Sequence, residues 1–310
     1  MKHLLETENN IRGIVVKLWI VVNAFLRTEK FVLLENRLKK TADRFNIDYE
    51  IVTNADCMPE LNTTCAYTGI IPANNDPILF WDKDILLAKT LEASGHRLYN
   101  CSDAIAICDD KRLTAVSLIN SNITIPKTII APMTYNTIGF TDYGFLTTTA
   151  QTLGFPLIVK EAFSSFGAGV YLCNNMEELI NTVTNQCSPN ILFQEYIDTS
   201  YGKDIRLQVV GNEVISSIFR YSENGDYRAN LTNGGSMKPY NPSDDEIKLA
   251  LDACKLLKLD FAGVDILFGE NGPILCEINS NAHFINLDYE TGSDTAEAII
   301  KYILSNYINN

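Results

Sequence analysis

The sequence lacks the excess of basic residues that nucleic-acid-binding proteins carry. Its 310 residues include 25 Lys and Arg against 38 Asp and Glu, which gives a formal net charge of −13. A phosphate backbone binds to a positively charged face, and the sequence contains no basic cluster that could form one. We therefore expect no nucleic-acid partner, whereas small diffusible substrates and basic partners remain compatible with this charge.

Long apolar runs and closely spaced cysteine pairs are also missing. The apolar run from Ile14 to Leu26 is broken by Lys17 and Asn23, is too short to span a bilayer, and has no small-residue cleavage site. We therefore expect no membrane segment and a cytoplasmic protein. The eight cysteines never form Cys-x-x-Cys, which favours buried reduced thiols over a disulfide framework or a zinc site.

The two common glycine-rich phosphate motifs are absent. The sequence contains neither G-x-x-x-x-G-K-[ST] nor G-x-G-x-x-G, so a nicotinamide-dependent oxidoreductase is a weak alternative. The stretch LIVKEAFSSFGAGVYLC (157–173) nevertheless ends an apolar run with Lys160 and continues into Gly167 and Gly169. A lysine followed by a glycine-rich loop is compatible with phosphate binding, although the stretch alone is ambiguous.

The chain is long enough for two or three packed domains. In the first ~110 residues, strand-like and helix-like segments alternate, which predicts a parallel sheet in a Rossmann-like unit. A small α+β module is predicted next, and the last part contains mainly strands. The predicted boundaries are 1–108, 109–188 and 189–310, and the overall class is α/β and α+β.

Individual elements follow from apolar periodicity and from turn residues. In the first unit we predict strands at 14–22, 48–54, 77–80 and 96–101, with helices at 29–45 and 84–94. Later we predict helices from Asp109, at 143–153 and 177–185, from Ser243 with a capping box, and at the C-terminus. The later predicted strands are PLIVKEA, GVYLC, ILFQEYI, DIRLQVVG, EVISSIFR, YRANL, AGVDILF and PILCEIN.

A carboxylate cluster is predicted within AGVDILFGENGPILCEINSN (262–281). A three-residue hairpin loop, Glu270–Gly272, would place Asp265 opposite Glu277, with Asn279 on the same face. Two opposed carboxylates repel by roughly 1 kcal/mol or more, so a positive charge is expected between them. Oxygen ligands without His or Cys favour Mg²⁺ or Mn²⁺. The alternative is a solvated polar edge, and a two-residue loop would separate the carboxylates onto opposite faces.

Arginines lie on successive predicted strands before this cluster. Arg206 shares a strand face with Asp204, Arg220 ends the next predicted strand, and Arg228 shares a face with Asn230 on the one after. Each arginine alone is compatible with an ordinary surface position. Together, close to the carboxylates, they are well placed to clamp phosphates bidentately.

Two further features have simple structural interpretations. In FWDKD (80–84), Asp82 is predicted to be the N-cap of the following helix. His283 lies just past the carboxylate cluster, and a packed or exposed histidine is favoured there over a proton-transfer role, since an oxygen-only metal site does not need it.

These motifs, in this order, resemble the ATP-grasp superfamily and, within it, the RimK-type (alpha-L-glutamate ligase-like) carboxylate–amine ligases. The resemblance extends from about Asn100 to the C-terminus. It implies an ATP-grasp fold with an N-terminal Rossmann-like (pre-ATP-grasp) domain at 1–108, a small subdomain with a phosphate-covering loop at 109–188, and a metal-binding subdomain at 189–310. The matching segments are DAIAICDDK, PLIVKEAFSSFGAGV, FQEYI, GKDIR, YRANLTNGG, AGVDIL and CEINSN.

The resemblance also implies roles for individual residues. ATP is the implied cofactor, with two Mg²⁺ or Mn²⁺ ions, and the loop at 164–169 is expected to close over the phosphates. The implied nucleotide-binding residues are Lys111, Lys160, Ser165, Gly167, Gly169, the adenine hinge Glu195, Tyr196 and Ile197, the ribose-side Asp204, and Arg228. The implied catalytic residues are Arg206, Arg220 and Asn230, and the implied metal ligands are Asp265, Glu277 and Asn279.

The function that the resemblance implies is ATP-dependent carboxylate–amine ligation through an acyl phosphate. The protein would add an amino acid such as glutamate to a small molecule, peptide or protein tail, and would form a homo-oligomer, a dimer or tetramer. Departures from the usual pattern at YRANL and after Asn279 leave the substrates open. The alternative is a nucleotide-binding module of the same fold that has lost ligation.

Overall fold

The computed structural model describes residues 16–72, 76–164, 167–229 and 234–308. Ser165 and Asn230, two of the predicted site residues, lie outside these ranges. Within them, no helix combines the length and apolar character that crossing a membrane requires. All eight cysteines are unpaired, and four of them are buried.

The N-terminal unit contains a four-stranded parallel sheet in the order β2-β1-β5-β6. Its strands are apolar runs because helices and neighbouring units cover both faces, and Ile20 and Leu79 are completely buried. The predicted parallel arrangement is confirmed, whereas the helix at 102–109 was not predicted. The elements are β1 Lys17–Val22, α1 Glu29–Arg44, β2 Asp48–Thr53, β3 Pro59–Leu61, β4 Cys65–Tyr67, β5 Ile78–Trp81, α2 Ile85–Ala93, β6 Leu98–Tyr99 and α3 Ser102–Asp109.

The helix that follows β5 begins two residues later than the capping prediction requires. Asp84 is its N-cap, since the Asp84 carboxylate accepts a hydrogen bond from the backbone N–H of Leu87 at 3.0 Å. The prediction that Asp82 caps this helix is wrong. Asp82 instead lies directly after β5, at the carboxyl end of the strand.

The middle unit contains an antiparallel sheet in the order β7-β10-β8-β9. The predicted hairpin of the lysine-bearing strand is confirmed, with Lys160 opposite Val170. Leu157, Val159 and Phe193 are completely buried between this sheet and its helices. The elements are α4 Lys111–Ser117, β7 Thr128–Ile130, α5 Gly144–Leu153, β8 Leu157–Glu161, β9 Val170–Cys173, α6 Met176–Asn185 and β10 Ile191–Glu195.

The C-terminal unit contains a five-stranded antiparallel sheet in the order β13-β12-β11-β14-β15. The predicted capping box is present at Ser243 and Glu246. The elements are β11 Lys203–Val210, β12 Glu213–Ser222, β13 Gly235–Pro239, α7 Asp244–Leu256, β14 Phe261–Gly269, β15 Gly272–Asn279, α8 Ile285–Thr291 and α9 Thr295–Ile308.

The prediction of a strand at YRANL (227–231) is wrong for residues 227–229, which have no strand geometry, and β13 pairs with β12 instead. Residues 230 and 231 lie outside the described ranges. Arg228 makes local contacts instead of pairing with a neighbouring strand. Its backbone N–H and its guanidinium both donate hydrogen bonds to the Asp226 carboxylate. Arg228 is therefore not on a strand as predicted, and the predicted pairing of its face with Asn230 lies outside the described residues.

The hairpin that carries the carboxylates differs from the prediction in its turn. Gly269 pairs with Gly272, so the loop has two residues, Glu270 and Asn271, rather than three. A bulge in the ladder then shifts the register by one residue, and Asp265 lies opposite Glu277 after all. Gly272 has a positive φ of +128°, as the turn prediction required.

Asn100 joins the N-terminal unit to the C-terminal sheet. Its side chain is completely buried. The Asn100 amide donates to the carbonyls of Phe261 and Ser280 at 3.0 and 2.9 Å, and accepts from the backbone N–H of Asp260 at 2.6 Å. These contacts fix the start of β14 and the end of β15, which lie together at the open end of the hairpin, against the N-terminal unit. The exact domain boundaries remain predictions.

Candidate active site

A cavity of about 120 Å³ lies between the middle and C-terminal sheets. We call it the first cavity. The residues that line it come from elements between α4 and β15, so some of them lie more than 150 positions apart in the sequence. The predicted site residues that line it are Lys111, Lys160, Gly167, Glu195, Tyr196, Ile197, Asp204, Arg220, Arg228, Asp265 and Glu277.

One edge of the first cavity is the segment that follows β10. The backbone N–H of Glu195 donates to the carbonyl of Lys127 at 3.0 Å, and its carboxylate accepts from the backbone N–H of Lys127 at 2.6 Å. Glu195 is therefore held by the main chain of the neighbouring segment. Ile158 and Leu267 add apolar side chains to the wall next to this edge.

The glycine loop at 164–169 is tied down on both sides by residues of the first cavity. The Lys111 ammonium donates to the carbonyl of Ser164 at 2.5 Å, and Arg228 donates to the carbonyl of Gly167 at 3.1 Å. Beyond the loop, the Tyr227 hydroxyl donates to the carbonyl of Val170 at 2.7 Å. Gly169 has a φ of +63°, a conformation that a side chain would strain.

Lys160 is buried in the wall of the first cavity. Its ammonium lies 3.7 Å from the Cys276 sulfur, and burial raises the pKa of that thiol although Lys160 opposes the shift. Among the residues that the structure describes, no carboxylate lies within ion-pair distance of Lys160. A buried cation without an anionic partner is costly, so this wall is suited to an anionic ligand.

Two arginines and two aspartates form a buried ionic network beside Lys160. Arg206 binds Asp265 through two hydrogen bonds of 2.6 Å, and Arg220 binds Asp204 in the same way. Arg220 also lies 3.0 Å from Asp265. Burial alone would raise the pKa of Asp265, but Arg206 and Arg220 outweigh it and hold that pKa below its ordinary value.

The positive charge expected between the opposed carboxylates is thus supplied by the protein itself. Besides the two arginines on Asp265, the ammonium of Lys111 lies 3.3 Å from Glu277. The predicted ligand set contains only two carboxylates, and the described ranges hold no group of three or more His, Cys, Asp or Glu side chains arranged for a metal ion.

The oxygen donors still fit a divalent ion that is bound together with phosphates. An ionised carboxylate can accept about four hydrogen bonds, and Asp265 uses three of these positions for the arginines. Glu277 and Asn279 lie on the neighbouring strand, β15. Mg²⁺ commonly takes one or two protein carboxylates and completes its shell with water and phosphate oxygens, which this set allows.

A second cavity, of about 510 Å³, lies on the other side of the ionic network. It is bounded by the carboxyl end of the parallel sheet and by the C-terminal sheet. Arg220, Asp265 and Glu277 line both cavities, whereas Arg206 and Asn279 line only the second. The two cavities therefore meet at one charged wall.

Sequence reasoning did not anticipate several residues of the second cavity, namely Lys30, Asp82, Asn281 and the apolar Phe31 and Trp81. For Asp82 a signal existed, because it follows an apolar strand of a predicted parallel sheet, where ligands commonly bind. His283 also lines this cavity, and its Nε2 lies 2.8 Å from the carbonyl of Lys30. Burial lowers the pKa of His283 to about 4, so the ring is neutral.

The family model of the RimK-like ATP-grasp domain matches residues 108–303. The chain belongs to the RimK-like ATP-grasp family. The resemblance seen in the motifs is thereby confirmed, and the protein is an ATP-dependent ligase that joins a carboxylate to an amine. Ligases of this family use ATP and a divalent metal ion.

Curated relatives cover most of the chain. An uncharacterised protein of Mycoplasma pneumoniae is 34% identical over 248 residues, which are 79% of this chain and 84% of the relative. The ribosomal protein bS6–L-glutamate ligase of Escherichia fergusonii is 33% identical over 76% of each chain. Beta-citrylglutamate synthase B of Danio rerio is 32% identical over 72% of this chain and 54% of its own length.

Solved structures show the same fold at low sequence identity. The ATP-grasp ligase PsnB, in complex with a minimal precursor, has a TM-score of 0.69 and 16% identity over 94% of this chain and 99% of its own. The D-alanine–D-alanine ligase of Bacillus anthracis, in complex with ATP, has a TM-score of 0.67 and 18% identity over 96% and 98% of the two chains. The predicted ATP-grasp fold is confirmed.

Proposed function

We propose that the protein binds ATP in the first cavity and, in the second, the carboxylate and the amine that it joins. The observation that supports this assignment best is the shared wall of Arg220, Asp265 and Glu277 between the two cavities. A terminal phosphate placed in one cavity and a carboxylate placed in the other would meet at these residues.

A carboxylate by itself is a poor electrophile because its negative charge is delocalised. Transfer of the γ-phosphoryl group of ATP to one carboxylate oxygen gives an acyl phosphate and ADP. The amine nitrogen then attacks the acyl carbon, phosphate leaves, and the amine gives up one proton. The protein contributes mainly placement and charge neutralisation to such a transfer.

The lysines and the glycine loop suit the phosphate side of this reaction. Lys160 would bind a phosphate oxygen and thereby gain the anionic partner that its buried position lacks among the described residues. Lys111 and Arg228 would hold the loop at 164–169 over the phosphates. Such a cover would exclude water, which otherwise hydrolyses an acyl phosphate. Gly167 and Gly169 would allow the loop to approach closely.

The adenine side is assigned to the segment after β10. Tyr196 and Ile197 would meet the base mainly through main-chain groups, while Glu195 keeps this edge fixed to Lys127. Asp204 would support the ribose side through the acceptor positions that its bidentate pairing with Arg220 leaves open.

Asp265, Glu277 and Asn279 would hold two divalent ions, Mg²⁺ or Mn²⁺. When bound, these ions would neutralise phosphate charge. Arg206 and Arg220 would face the reacting carboxylate, since both line the second cavity. Their donors are already oriented by Asp204 and Asp265, so little reorganisation would be needed when substrate binds.

An amino acid, with glutamate as the first choice, is the proposed amine substrate. The names of two relatives, a bS6–L-glutamate ligase and a beta-citrylglutamate synthase, support this choice. The carboxylate would belong to a small molecule, a peptide or a protein tail. A cytoplasmic location and a homo-oligomeric state remain predictions of the sequence.

Phosphate release with ATP and Mg²⁺ tests the proposal, using all amino acids against a panel of small carboxylic acids and peptides. We expect release only when both an amine and a carboxylate are present, with one amide formed per phosphate.

Glu277→Gln is expected to lower turnover at least about 100-fold. Glu270→Gln, in the exposed turn of the same hairpin, is the matched control and should keep full turnover. Full activity of Glu277→Gln would contradict the metal assignment, and tight ATP binding without turnover against the panel would contradict ligation by this site.

A further inference from the structure

Asn23 and Asp82 lie side by side where the strand order of the N-terminal sheet reverses. The chain proceeds from β1 outward to β2 on one side, and later to β5 and β6 on the other. Asn23 directly follows β1, and Asp82 directly follows β5. Open parallel sheets bind ligands at this position, outside the carboxyl ends of the two strands that flank the reversal.

Asp82 is a buried carboxylate in the wall of the second cavity. It accepts hydrogen bonds from the Asn23 amide at 3.1 and 3.2 Å and from the backbone N–H of Lys83 at 2.7 Å. Across the described ranges, no lysine, arginine or histidine forms an ion pair with it. The neighbouring Lys83 ammonium is bound to Asp109 instead. Burial raises the pKa of Asp82, so a cationic ligand group would compensate the cost of its charge.

A second acceptor lies next to Asp82. The Asn281 amide donates to the carbonyl of Asp82 at 2.7 Å, and its amide oxygen is buried with no hydrogen-bond partner among the residues that the structure describes. Buried acceptors are normally satisfied, so this oxygen marks a place where a donor is missing. Asn281 belongs to the segment directly after β15.

Positive charge lies elsewhere in the same cavity. Lys30 and Arg206 both line it, and burial together with the nearby charge of Arg206 lowers the pKa of Lys30. Arg206 is already paired with Asp265. The cavity thus holds the basic side chains of Lys30 and Arg206 as well as the carboxylate of Asp82. An α-amino acid, which carries both an ammonium and a carboxylate, has the complementary charges.

We infer that Asp82 binds the ammonium group of the amino-acid substrate, with Asn281 as the second acceptor. Asp82 is then a specificity-determining residue that sets where the nitrogen lies relative to the charged wall of Arg220, Asp265 and Glu277. The ammonium must lose one proton to solvent before its nitrogen attacks the acyl carbon, and it loses the second as the amide forms. This inference rests on the proposed ligation, because it assigns the amine to the second cavity.

Steady-state kinetics of Asp82→Asn test the inference, with the amino acid that supports phosphate release in the wild-type protein. Losing a charged hydrogen-bond partner should raise the KM for that amino acid about 10- to 150-fold. The KM for ATP should stay within about twofold. Hydroxylamine, a nucleophile that is largely uncharged at neutral pH, should be used equally well by Asp82→Asn and by the wild type, because it brings no ammonium group to Asp82.

Two variants guard against a purely structural effect. Asp84→Asn, two residues away at the helix cap, removes a carboxylate of the same segment and should leave the KM values for the amino acid and for ATP unchanged, since Asn is also a good N-cap. Asp82→Glu retains the charge and should recover most of the amino-acid affinity that Asp82→Asn loses.

The possible outcomes distinguish a failure of this inference from a failure of the proposed ligation. If the wild type turns over and Asp82→Asn has the same KM for the amino acid, the role of Asp82 alone is overturned. A parallel loss with the amino acid and with hydroxylamine also overturns it, because the defect is then general. No phosphate release by the wild type with any pair of substrates overturns the proposed ligation and this inference together.

Discussion

The guanidinium of Arg220 lies 3.0 Å from the carboxylate of Asp265, and both side chains are buried. The same guanidinium forms two hydrogen bonds with Asp204, and Arg206 forms two with Asp265. The network therefore contains two cations and two anions. Its charges balance without any ligand, so the wall between the two cavities is preorganised before substrates arrive.

Arg220→Met should destabilise the protein by about 3–5 kcal/mol, because it leaves Asp204 buried without its cation. Urea unfolding measured by circular dichroism gives the free energy of unfolding. The double variant Asp204→Leu with Arg220→Met removes both charges and should recover most of the loss. A single variant that loses less than about 1 kcal/mol would mean that water reaches this pair in solution.

Lys160→Met should affect stability and nucleotide binding in opposite directions. Removing a buried cation that lacks an ion-pair partner among the described residues should raise the free energy of unfolding by about 1 kcal/mol in the absence of nucleotide. ADP affinity, measured by isothermal titration calorimetry with Mg²⁺, should fall about 30- to 100-fold. Lys248→Met, at an exposed position paired with Asp252, should change neither quantity appreciably. A variant that is less stable and keeps its ADP affinity would exclude the phosphate role of Lys160.

Gly169→Ala should impair the loop over the first cavity. An added Cβ would lie 2.5 Å from the Glu161 carboxylate and 2.9 Å from the Ser164 side chain, at a φ of +63°. We expect the KM for ATP to rise about tenfold, because the base of the loop must shift. Gly225→Ala, whose φ is +78° and whose added Cβ would contact nothing within 4 Å, controls for backbone strain alone. Equal ATP kinetics in the two variants would show that the close approach at Gly169 is not needed.

Stability should fall as the pH drops from about 6.5 to about 4, in part because of His283. Burial lowers the pKa of this imidazole from 6.5 to about 4, and the charges of Lys30 and Arg206 add to the shift. Between these values the unfolded chain binds a proton that the folded protein does not, so acid favours unfolding. His283→Gln should flatten the pH dependence of the unfolding free energy in this window. An unchanged slope would place the responsible groups elsewhere.

The predicted pairing of Asp265 with Glu277 is correct, although the turn from which it was predicted is wrong. The sequence favoured a three-residue loop, whereas the structure has a two-residue turn and a bulge, and each route places the two carboxylates opposite one another. The bulge left no trace in the pattern, because Cys276 reads as an ordinary apolar residue of the strand. The alternation of apolar and polar residues indicates which face of the sheet a side chain occupies. It does not indicate where a bulge leaves one residue of a strand unpaired.

Other parts of the site could not be derived from local pattern at all. Arg228 was expected on a strand with Asn230, but its side chain and backbone bind Asp226 and the loop at 167 instead. Asp82 was interpreted as a helix cap because its neighbourhood contains two aspartates, either of which could begin the helix. Which of them faces a cavity depends on how the N-terminal sheet docks on the C-terminal one, and that docking involves residues far apart in sequence.

The contacts of Asn100 limit how the N-terminal unit of this fold could be exchanged between ligases. Its one side chain supplies hydrogen-bonding partners to the entry of β14 and to the exit of β15, and it stands at the end of the N-terminal sheet. A Rossmann-like unit transplanted from another ligase would bring a new substrate wall, but it would seat in the correct register only with an amide at this position. Substrate range in such chimeras would then be limited by a single asparagine at the junction, which lines neither cavity but binds the carbonyl of Ser280, between Asn279 and Asn281.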